Sequence, residues 1–224
     1  MTPSSAMIFA AGFGTRMGSL TKTAPKPMLH LAGRPMIDHT IDLLRDAGVS
    51  RIAANVHHLP DVITSHLHAR GVEVLKEHPD ILDTGGGLMA ALPVLGNGPV
   101  ITINPDALWL GPNPVTRLLE NWRADMAALL ALIDRKDARG TAATGDFGLS
   151  DGKIVRGGSF IYGGAQIIDP NRLQELGKTV FSLNAYWDHL AEIGPLNGLL
   201  YEGTWCDLGT ANGLETGEAL LRHE

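Results

Sequence analysis

A short apolar run that opens into a glycine-rich loop constrains the fold of this chain more than any other feature. Residues 7–11 have the length and apolar character of a buried strand, and Gly12, Gly14 and Gly18 follow directly. Glycine lets the backbone N–H groups of a loop approach a ligand closely, because no Cβ stands in the way. A strand that ends in such a loop predicts an open α/β sheet, in which ligands bind at the carboxyl ends of the strands.

Two cations accompany this loop. Arg16 lies inside it, and Lys26 follows between Pro25 and Pro27, whose rings restrict φ and stiffen the backbone around the lysine. Consecutive N–H groups in a turn form a concavity that accepts phosphate oxygens. Since two nearby cations would neutralise a polyphosphate, the segment indicates a nucleoside triphosphate as ligand.

Other interpretations of the loop remain open. The glycines could form a plain turn, and the two cations could be solvated surface charges. A dinucleotide-binding loop needs G-x-G-x-x-G and an acidic residue about 20 positions later. Here Gly18 lies one position too late, and Lys22 and Lys26 occupy the region where the acid is expected. The pattern therefore disfavours a nicotinamide-dependent oxidoreductase.

The pattern A-A-G-x-G-T-R-M at residues 10–17, followed by P-K-P-M at residues 25–28, resembles the signature of the sugar-1-phosphate nucleotidylyltransferases. This family joins the nucleoside monophosphate of an NTP to a sugar 1-phosphate and releases pyrophosphate. The short, single-domain form is similar to the N-acetylmuramate-1-phosphate uridylyltransferases of cell-wall recycling, which implies UTP as the nucleotide. A guanylyl- or cytidylyltransferase for another sugar 1-phosphate, and a non-catalytic nucleotide- or sugar-binding regulatory module, stay open as alternatives.

The resemblance also implies roles for individual residues. Arg16 would bind the β- and γ-phosphates and Lys26 the phosphate at which the reaction occurs, and both would act with Asp106 in catalysis. The nucleotide contacts that it implies are Ala10, Ala11, Gly12, Gly14, Thr15, Arg16, Lys26 and Gly86.

Two aspartates far apart in the sequence are candidate metal ligands. Asp106 follows a predicted strand over residues 99–104, and Asp207 lies in a W-x-D-x-G-T segment. Each could be a turn residue, since aspartate commonly forms Asx turns. Together they resemble the two metal-binding carboxylates of the family, and Mg²⁺ prefers a couple of carboxylates completed by water and phosphate oxygens. The resemblance therefore implies a Mg²⁺ cofactor held by Asp106 and Asp207.

The sugar site is where the chain departs most from the family pattern. The resemblance implies sugar contacts from Asn104 and Gly148, yet Pro105 stands where family members often have a small residue. Proline restrains the residue before it, so the local turn is expected to differ. The E-K-P segment of larger relatives, whose lysine binds the sugar phosphate, has no counterpart, and Lys153 and Arg156 are weak substitutes nearby.

A second glycine run, residues 83–87, is expected to precede a helix over residues 88–95. In the family a similar E-T-x-G-G segment packs its backbone against the nucleobase, which implies the role of Gly86 given above. Asp83 stands here in place of the usual glutamate, and its side chain is one methylene shorter.

Composition and charge exclude several function classes. The 224 residues carry a net charge of −6, which argues against a nucleic-acid partner because nucleic-acid surfaces are basic. No apolar run approaches the ~20 residues of a membrane-spanning helix, and the first residues lack the features of a secretory signal. A single cysteine, Cys206, rules out an internal disulfide. We therefore expect a cytoplasmic protein without a membrane partner, either a monomer or a homodimer.

The histidines and serines indicate no other chemistry. The histidines that lie near one another in the sequence, His57, His58, His66, His68 and His78, are not spaced as zinc ligands. No G-x-S-x-G nucleophile elbow is present either. Zinc chemistry and serine hydrolysis therefore have little support.

Alternating strand and helix patterns predict a three-layer α/β/α fold with a mostly parallel, Rossmann-like mixed sheet. The expected strands cover residues 7–11, 52–56, 72–75, 99–104, 127–133, 165–168 and 198–201. The expected helices cover residues 35–47, 60–70, 88–95, 114–123, 170–176 and 211–221. Residues 140–164 are expected to form short antiparallel strands or loops along a pocket. We expect one domain, 1–224, with a nucleotide-binding half over about 1–110 and a sugar-binding half over about 111–224.

Overall fold

A mixed sheet of nine strands forms the centre of the computed structural model, which describes residues 2–222. The strands are β1 (Ser5–Phe9), β2 (His30–Leu31), β3 (Arg34–Pro35), β4 (Arg51–Val56), β5 (Glu73–Lys76), β6 (Val100–Ile103), β7 (Ala107–Leu110), β8 (Ala128–Asp134), β9 (Ala138–Arg139), β10 (Phe147–Ser150), β11 (Lys153–Arg156), β12 (Phe160–Ile168), β13 (Leu196–Leu200) and β14 (Thr204–Asp207). The helices are α1 (Met36–Asp46), α2 (Pro60–Ala69), α3 (Asp83–Leu95), α4 (Pro114–Asn121), α5 (Leu183–Ile193) and α6 (Ala211–Leu221). Short 3₁₀ segments cover Thr15–Thr21, Lys26–Met28, Arg135–Asp137 and Leu173–Leu176.

The large sheet has the strand order β10-β11-β13-β8-β12-β6-β1-β4-β5. The part that contains β6, β1, β4 and β5 is parallel, whereas β12 runs antiparallel to both β6 and β8. A separate three-stranded sheet pairs β14 with β7 and β9. The parallel part places the carboxyl ends of β1, β4 and β6 at one edge, which is where ligands bind in open α/β sheets.

Alternating side chains of the central strands build a core on each face of the sheet. On β1, Ala6 and Ile8 pack in one buried cluster with residues of α1, α2 and α4, whereas Met7 packs in another with residues of α3 and α5. Successive residues of a strand point to opposite faces, so the predicted three-layer α/β/α fold is confirmed. Among residues 2–222, no helix combines the length and the apolar character that crossing a bilayer requires.

Most of the predicted elements are present within a few residues of their expected bounds. The first strand ends at Phe9 because Ala10 and Ala11 already belong to the loop. The helix predicted over residues 170–176 is only a 3₁₀ turn, Leu173–Leu176. The sequence patterns did not predict α5, although its N-cap Ser182 accepts a hydrogen bond from the Asn184 N–H and is a recognisable start signal.

The second glycine run is the first turn of α3 and not a loop before it. The N–H groups of Gly85 and Gly86 donate to the Phe181 carbonyl oxygen at 2.9 and 3.1 Å. A Cβ on Gly86 would overlap the backbone carbonyl of Thr179. The glycines therefore allow residues 179–181 to pack directly on the helix, and this contact outweighs their low helix propensity.

Gly86→Ala is expected to lower the free energy of unfolding by about 1–3 kcal/mol, the usual cost of overpacking a buried site. The gain in helix propensity, about 1 kcal/mol, is too small to offset the displacement of the Thr179 backbone. Gly194→Ala is the matched control, since Gly194 is extended with a φ of −172° and has open space where a Cβ would stand. Urea unfolding measures both variants, and an unchanged midpoint for Gly86→Ala would contradict the contact.

Candidate active site

The glycine-rich loop lies at the carboxyl edge of the parallel strands. The Ala10 N–H donates to Asn55 Oδ1 at 2.9 Å, which ties the start of the loop to the end of β4. Gly14 is left-handed, with φ 66° and ψ 27°, a conformation that glycine adopts without strain. Within residues 2–222, the N–H groups of residues 11–14 have no hydrogen-bond acceptor. Successive unpaired donors of this kind suit an anionic ligand.

Lys26 and Asp106 form the central ion pair of the site. Lys26 Nζ lies 2.5 Å from Asp106 Oδ2, and the two side chains are 16% and 15% exposed. Lys26 begins a 3₁₀ turn whose N-cap, Pro25, has an extended backbone, as expected for a lysine between prolines. Because the pair is largely shielded from water, its electrostatic interaction is screened less by salt than that of a surface pair.

Pairing of β14 with β7 brings the second aspartate beside the first. Asp207 lies opposite Ala107 in the register, and the Leu208 N–H donates to the Asp106 carbonyl oxygen at 2.8 Å. Arg16 Nη1 lies 3.9 Å from Asp207 Oδ2, and the arginine side chain is 62% exposed. Two acids from distant parts of the chain and two cations from the amino-terminal loops therefore meet at one place.

The two acids have the electrostatic character of a site for a divalent cation. Burial raises the pKa of Asp207, and the Asp106 carboxylate beside it raises that pKa further. The Gly209 N–H, which donates to Asp207 Oδ1 at 2.8 Å, lowers the same pKa, as does Arg16. A divalent cation would offset the repulsion between the two carboxylates, and substrate phosphates and water would complete its coordination. The residues present fit such an ion.

Three adjoining cavities form one cleft along this edge, and Asn104 lines all of them. The loop cavity is lined by Ala11, Gly12, Lys26, Asn55, Thr84 and Asp106, among others. The acid cavity is lined by Arg16, Asp106, Thr141, Asp146, Trp205 and Asp207, among others. The aromatic cavity is lined by Phe147, Arg156, Tyr162, Gln166, Asn184 and Trp187, among others. The shared lining residues show that the three cavities adjoin one another.

Buried hydrogen bonds hold the wall of the aromatic cavity in place. Trp187 Nε1 donates to Gln166 Oε1 at 2.8 Å, and Gln166 Nε2 donates to Thr102 Oγ1 at 3.1 Å. Tyr162 packs edge-on against Trp187, with ring centroids 4.9 Å apart. Burial raises the pKa of the Tyr162 hydroxyl, so this group is neutral at physiological pH. Rings combined with a few fixed polar groups are typical of a small-molecule site.

Most of the site residues expected from the sequence lie along this cleft. Those that line it are Ala11, Gly12, Arg16, Lys26, Asn104, Asp106 and Asp207. Ala10, Gly14 and Thr15 do not line the three cavities but form the loop itself: Ala10 anchors it, Gly14 turns it and Thr15 begins its 3₁₀ segment.

Gly86 and Gly148 are also outside the linings of these three cavities. Gly86 faces residues 179–181, as described above, and Gly148 pairs with Val155 between β10 and β11. Next to Gly148, Asp146 and Phe147 do line the cleft. Both glycines lie close to neighbouring backbone, and their predicted contacts with the base and the sugar stay predictions, while the residues before Gly148 reach the cavity.

A buried polar bridge beneath the loop was not indicated by the sequence patterns. Asn55 Nδ2 donates to Glu77 Oε1 at 2.7 Å, and Glu77 Oε2 accepts the Leu82 N–H at 2.8 Å. The bridge connects the glycine-rich loop to the segment that leads into α3. One signal was available, because Asn55 lies at the carboxyl end of a predicted strand. No such signal was available for Asp146 and Tyr162, because no periodicity in residues 140–164 marks which side chains face a ligand.

Two histidines beside the cleft contact backbone carbonyl oxygens. Among residues 2–222, no group of three or more His, Cys, Asp and Glu side chains is placed to hold a metal ion. His57 Nδ1 and His58 Nε2 lie 3.0 Å from the carbonyl oxygens of Glu77 and Thr21, respectively. These two side chains therefore connect the loops around the cleft.

Comparison with known proteins shows the family to which the chain belongs. Residues 6–201 match the family model of the MobA-like NTP transferase domain. The chain is 34% identical over 235 residues to an N-acetylmuramate alpha-1-phosphate uridylyltransferase of Caulobacter vibrioides, with 98% of this chain and 97% of the relative covered. It is 30% identical over 227 residues to the protein of the same name from Neisseria meningitidis serogroup B, with 96% and 97% covered.

A similar solved structure is that of a UDP-glucose pyrophosphorylase complexed with UDP-glucose. It has a TM-score of 0.82 at 16% identity, with 99% of this chain and 100% of that chain covered. At this identity the likeness shows the fold, whereas the family model and the full-length relatives show the family. The chain therefore belongs to the MobA-like NTP transferase domain family, as a sugar-1-phosphate nucleotidyltransferase.

Proposed function

We propose that this enzyme transfers UMP from UTP to N-acetylmuramate 1-phosphate, giving UDP-N-acetylmuramate and pyrophosphate, with Mg²⁺ as cofactor. Support for the substrates comes from the two full-length relatives, both N-acetylmuramate alpha-1-phosphate uridylyltransferases by name. The observation that carries the reaction is that the Lys26–Asp106 ion pair and the second acid, Asp207, meet in one cleft. Charges of both signs at one place suit a triphosphate that binds together with a cation.

The reaction needs alignment and charge neutralisation more than it needs proton transfer. Lys26 binds the α-phosphate and the acceptor phosphate, and Arg16 binds the departing pyrophosphate. An acceptor phosphate oxygen attacks the α-phosphorus in line, and the bond from that phosphorus to the bridging oxygen of the β-phosphate breaks. Pyrophosphate leaves with the bonding electron pair. Because a phosphate monoester is already anionic at neutral pH, no general base is required.

The two halves of the chain divide the substrates between them. Residues 1–110 supply the loop cavity for the nucleotide, and residues 111–224 supply most of the aromatic cavity for the sugar. Asp106 and Asp207 would hold Mg²⁺, which would supply positive charge beside the phosphates. Since nucleoside triphosphates are abundant in the cytoplasm, we place the reaction there.

A matrix of nucleoside triphosphates against sugar 1-phosphates, scored by pyrophosphate release, tests this function. We expect UTP to be the best nucleotide, with the highest kcat/KM for N-acetylmuramate 1-phosphate and N-acetylglucosamine 1-phosphate as the next acceptor. A strong preference for GTP or CTP would establish the guanylyl- or cytidylyltransferase alternative. No pyrophosphate from any pair would favour the non-catalytic regulatory module.

A further inference from the structure

The aromatic cavity contains a positively charged side chain that has no role in the reaction steps proposed above. The cavity has a volume of about 240 Å³, and its acidic lining residues are Asp83 and Asp146. Among the residues of 2–222 that line it, Arg156 is the one cation. A guanidinium therefore lies in a cavity of about the size of a sugar, although the net charge of the whole protein is −6.

Arg156 is held in place by contacts with two elements of the cavity wall. Its Cζ lies 5.1 Å from the ring centroid of Phe147 and 5.3 Å from that of Trp187, within the range of cation–π attraction. Nη1 donates to Asn184 Oδ1 and Nη2 to the Asn184 carbonyl oxygen, both at 2.9 Å. Nε donates to Asp188 Oδ1 at 2.8 Å. The side chain is therefore oriented before any ligand arrives.

These bonds leave some N–H groups of Arg156 able to donate to a ligand. A guanidinium carries five N–H donors, and the bonds to Asn184 and Asp188 use three of them, so each terminal nitrogen retains one. The Asp188 side chain is 61% exposed and that of Arg156 is 41% exposed. An ion pair as open to water as this one is weak and does not prevent a second anion from binding. Arginine is also the side chain best suited to bind a carboxylate through two parallel hydrogen bonds.

Arg156 lies apart from the residues proposed to bind the reacting phosphate. Lys26 lines the loop cavity and Asp106 lines both the loop and acid cavities, whereas Arg156 lines neither. A sugar whose 1-phosphate lies at the Lys26–Asp106 pair would extend into the aromatic cavity with its ring and substituents. Resting on the proposed function, we infer that Arg156 binds a carboxylate carried by the acceptor sugar, such as the lactyl carboxylate of N-acetylmuramate, and so selects acidic sugar 1-phosphates over neutral ones.

Two acceptors that differ only in the lactyl group test this assignment. Steady-state pyrophosphate release with UTP is measured for N-acetylmuramate 1-phosphate and for N-acetylglucosamine 1-phosphate, in the wild type and in Arg156→Gln. Loss of a charge-assisted hydrogen bond predicts a kcat/KM lower by about 10- to 100-fold for the acidic acceptor, mainly through KM, against less than about threefold for the neutral one. Arg156→Lys, which keeps the charge but loses the planar pair of donors, is expected to lie between.

Lys153→Gln is the matched control. Lys153 lies on the same strand and is exposed, but it lines a different cavity together with Arg123 and Arg172. Its replacement should therefore leave kcat/KM unchanged for both acceptors. Equal losses for both acceptors in Arg156→Gln, at an unchanged Tm, would assign Arg156 to the phosphate and overturn the inference. No loss for either acceptor would overturn it as well.

Calorimetric titration of the same two sugar 1-phosphates separates this inference from the proposed function. It reports binding whether or not turnover occurs, so an enzyme that releases no pyrophosphate still tests Arg156. We expect the acidic acceptor to bind the wild type about tenfold or more tightly than the neutral one, and this difference to be lost in Arg156→Gln. An acidic acceptor that binds the wild type no more tightly than the neutral one would contradict the assignment.

Discussion

Replacing Asp106 with alanine is expected to lower kcat by about 10²- to 10³-fold while the protein stays folded, a loss typical of removing one preorganised electrostatic contact. Asp106 contacts Lys26 directly and lies beside Asp207, so in the proposed reaction its carboxylate would position both the lysine and the metal ion. Without it, Lys26 loses its orienting partner and Asp207 is left as the single acid of the pair. The substitution removes no apolar packing, and Asp106→Asn, which keeps the shape of the side chain, is expected to behave similarly.

Pyrophosphate release under saturating substrates gives kcat for Asp106→Ala, and thermal unfolding followed by circular dichroism reports the fold. Asp125→Asn is the control, because the Asp125 carboxylate is 74% exposed and pairs with Arg123 outside the cleft. Its kcat should equal that of the wild type. A near-normal rate in Asp106→Ala would count directly against the metal and positioning roles.

Lys26→Met is expected to reduce kcat by at least about 100-fold, since the charge that develops on the α-phosphate oxygens would lose a preorganised cation. The methionine fills a similar volume, so the proline-flanked turn is retained. Lys26→Arg keeps a positive charge but replaces a compact ammonium with a larger planar group, and we expect only partial activity. The variant also leaves Asp106 and Asp207 without their nearest buried cation, so added Mg²⁺ should raise its Tm more than that of the wild type.

Lys22→Met provides the control for Lys26→Met. Lys22 lies in the same amino-terminal segment, but its side chain is exposed and it does not line the cleft. We expect wild-type kcat and KM in that variant. If Lys26→Met and Lys22→Met had the same kcat, Lys26 would have no part in the chemistry.

The amino-terminal half of the fold was accessible from the sequence because its signals are local. The strand that precedes the glycine-rich loop, the helix α1 and the strand β4 each show their pattern within a few residues. The bounds of α1 and β4 agree with the prediction to within one residue, and the first strand lies two residues earlier than predicted. The loop itself is equally local, since glycine and proline act on their own backbone. Ala11, Gly12 and Lys26 consequently lie along the cleft as expected.

The carboxyl-terminal half was harder because long-range pairing governs it. The bulge between Tyr162 and Gln166 in β12 depends on how that strand pairs with β8, and no local pattern encodes this register. The aromatic cavity combines side chains from β10, β11, β12 and α5, none of which reveals its partner in the sequence. Arg156 therefore seemed a weak substitute for a phosphate-binding lysine, whereas its position in the fold indicates a different ligand.

Local signals along the chain were enough to predict an α/β sheet with a glycine-rich loop at its edge, whereas the two acids were singled out by their resemblance to the carboxylates of the family. Only the folded chain could bring Asp106 and Asp207 together, because the β7–β14 pairing joins segments that are remote in sequence. Only the folded chain, likewise, showed that Gly86 serves helix packing and that Arg156 faces a sugar-sized cavity. The physical reason is the range of the interactions. Propensity and periodicity act over one or two turns, whereas the contacts of a binding site form only after distant strands have paired.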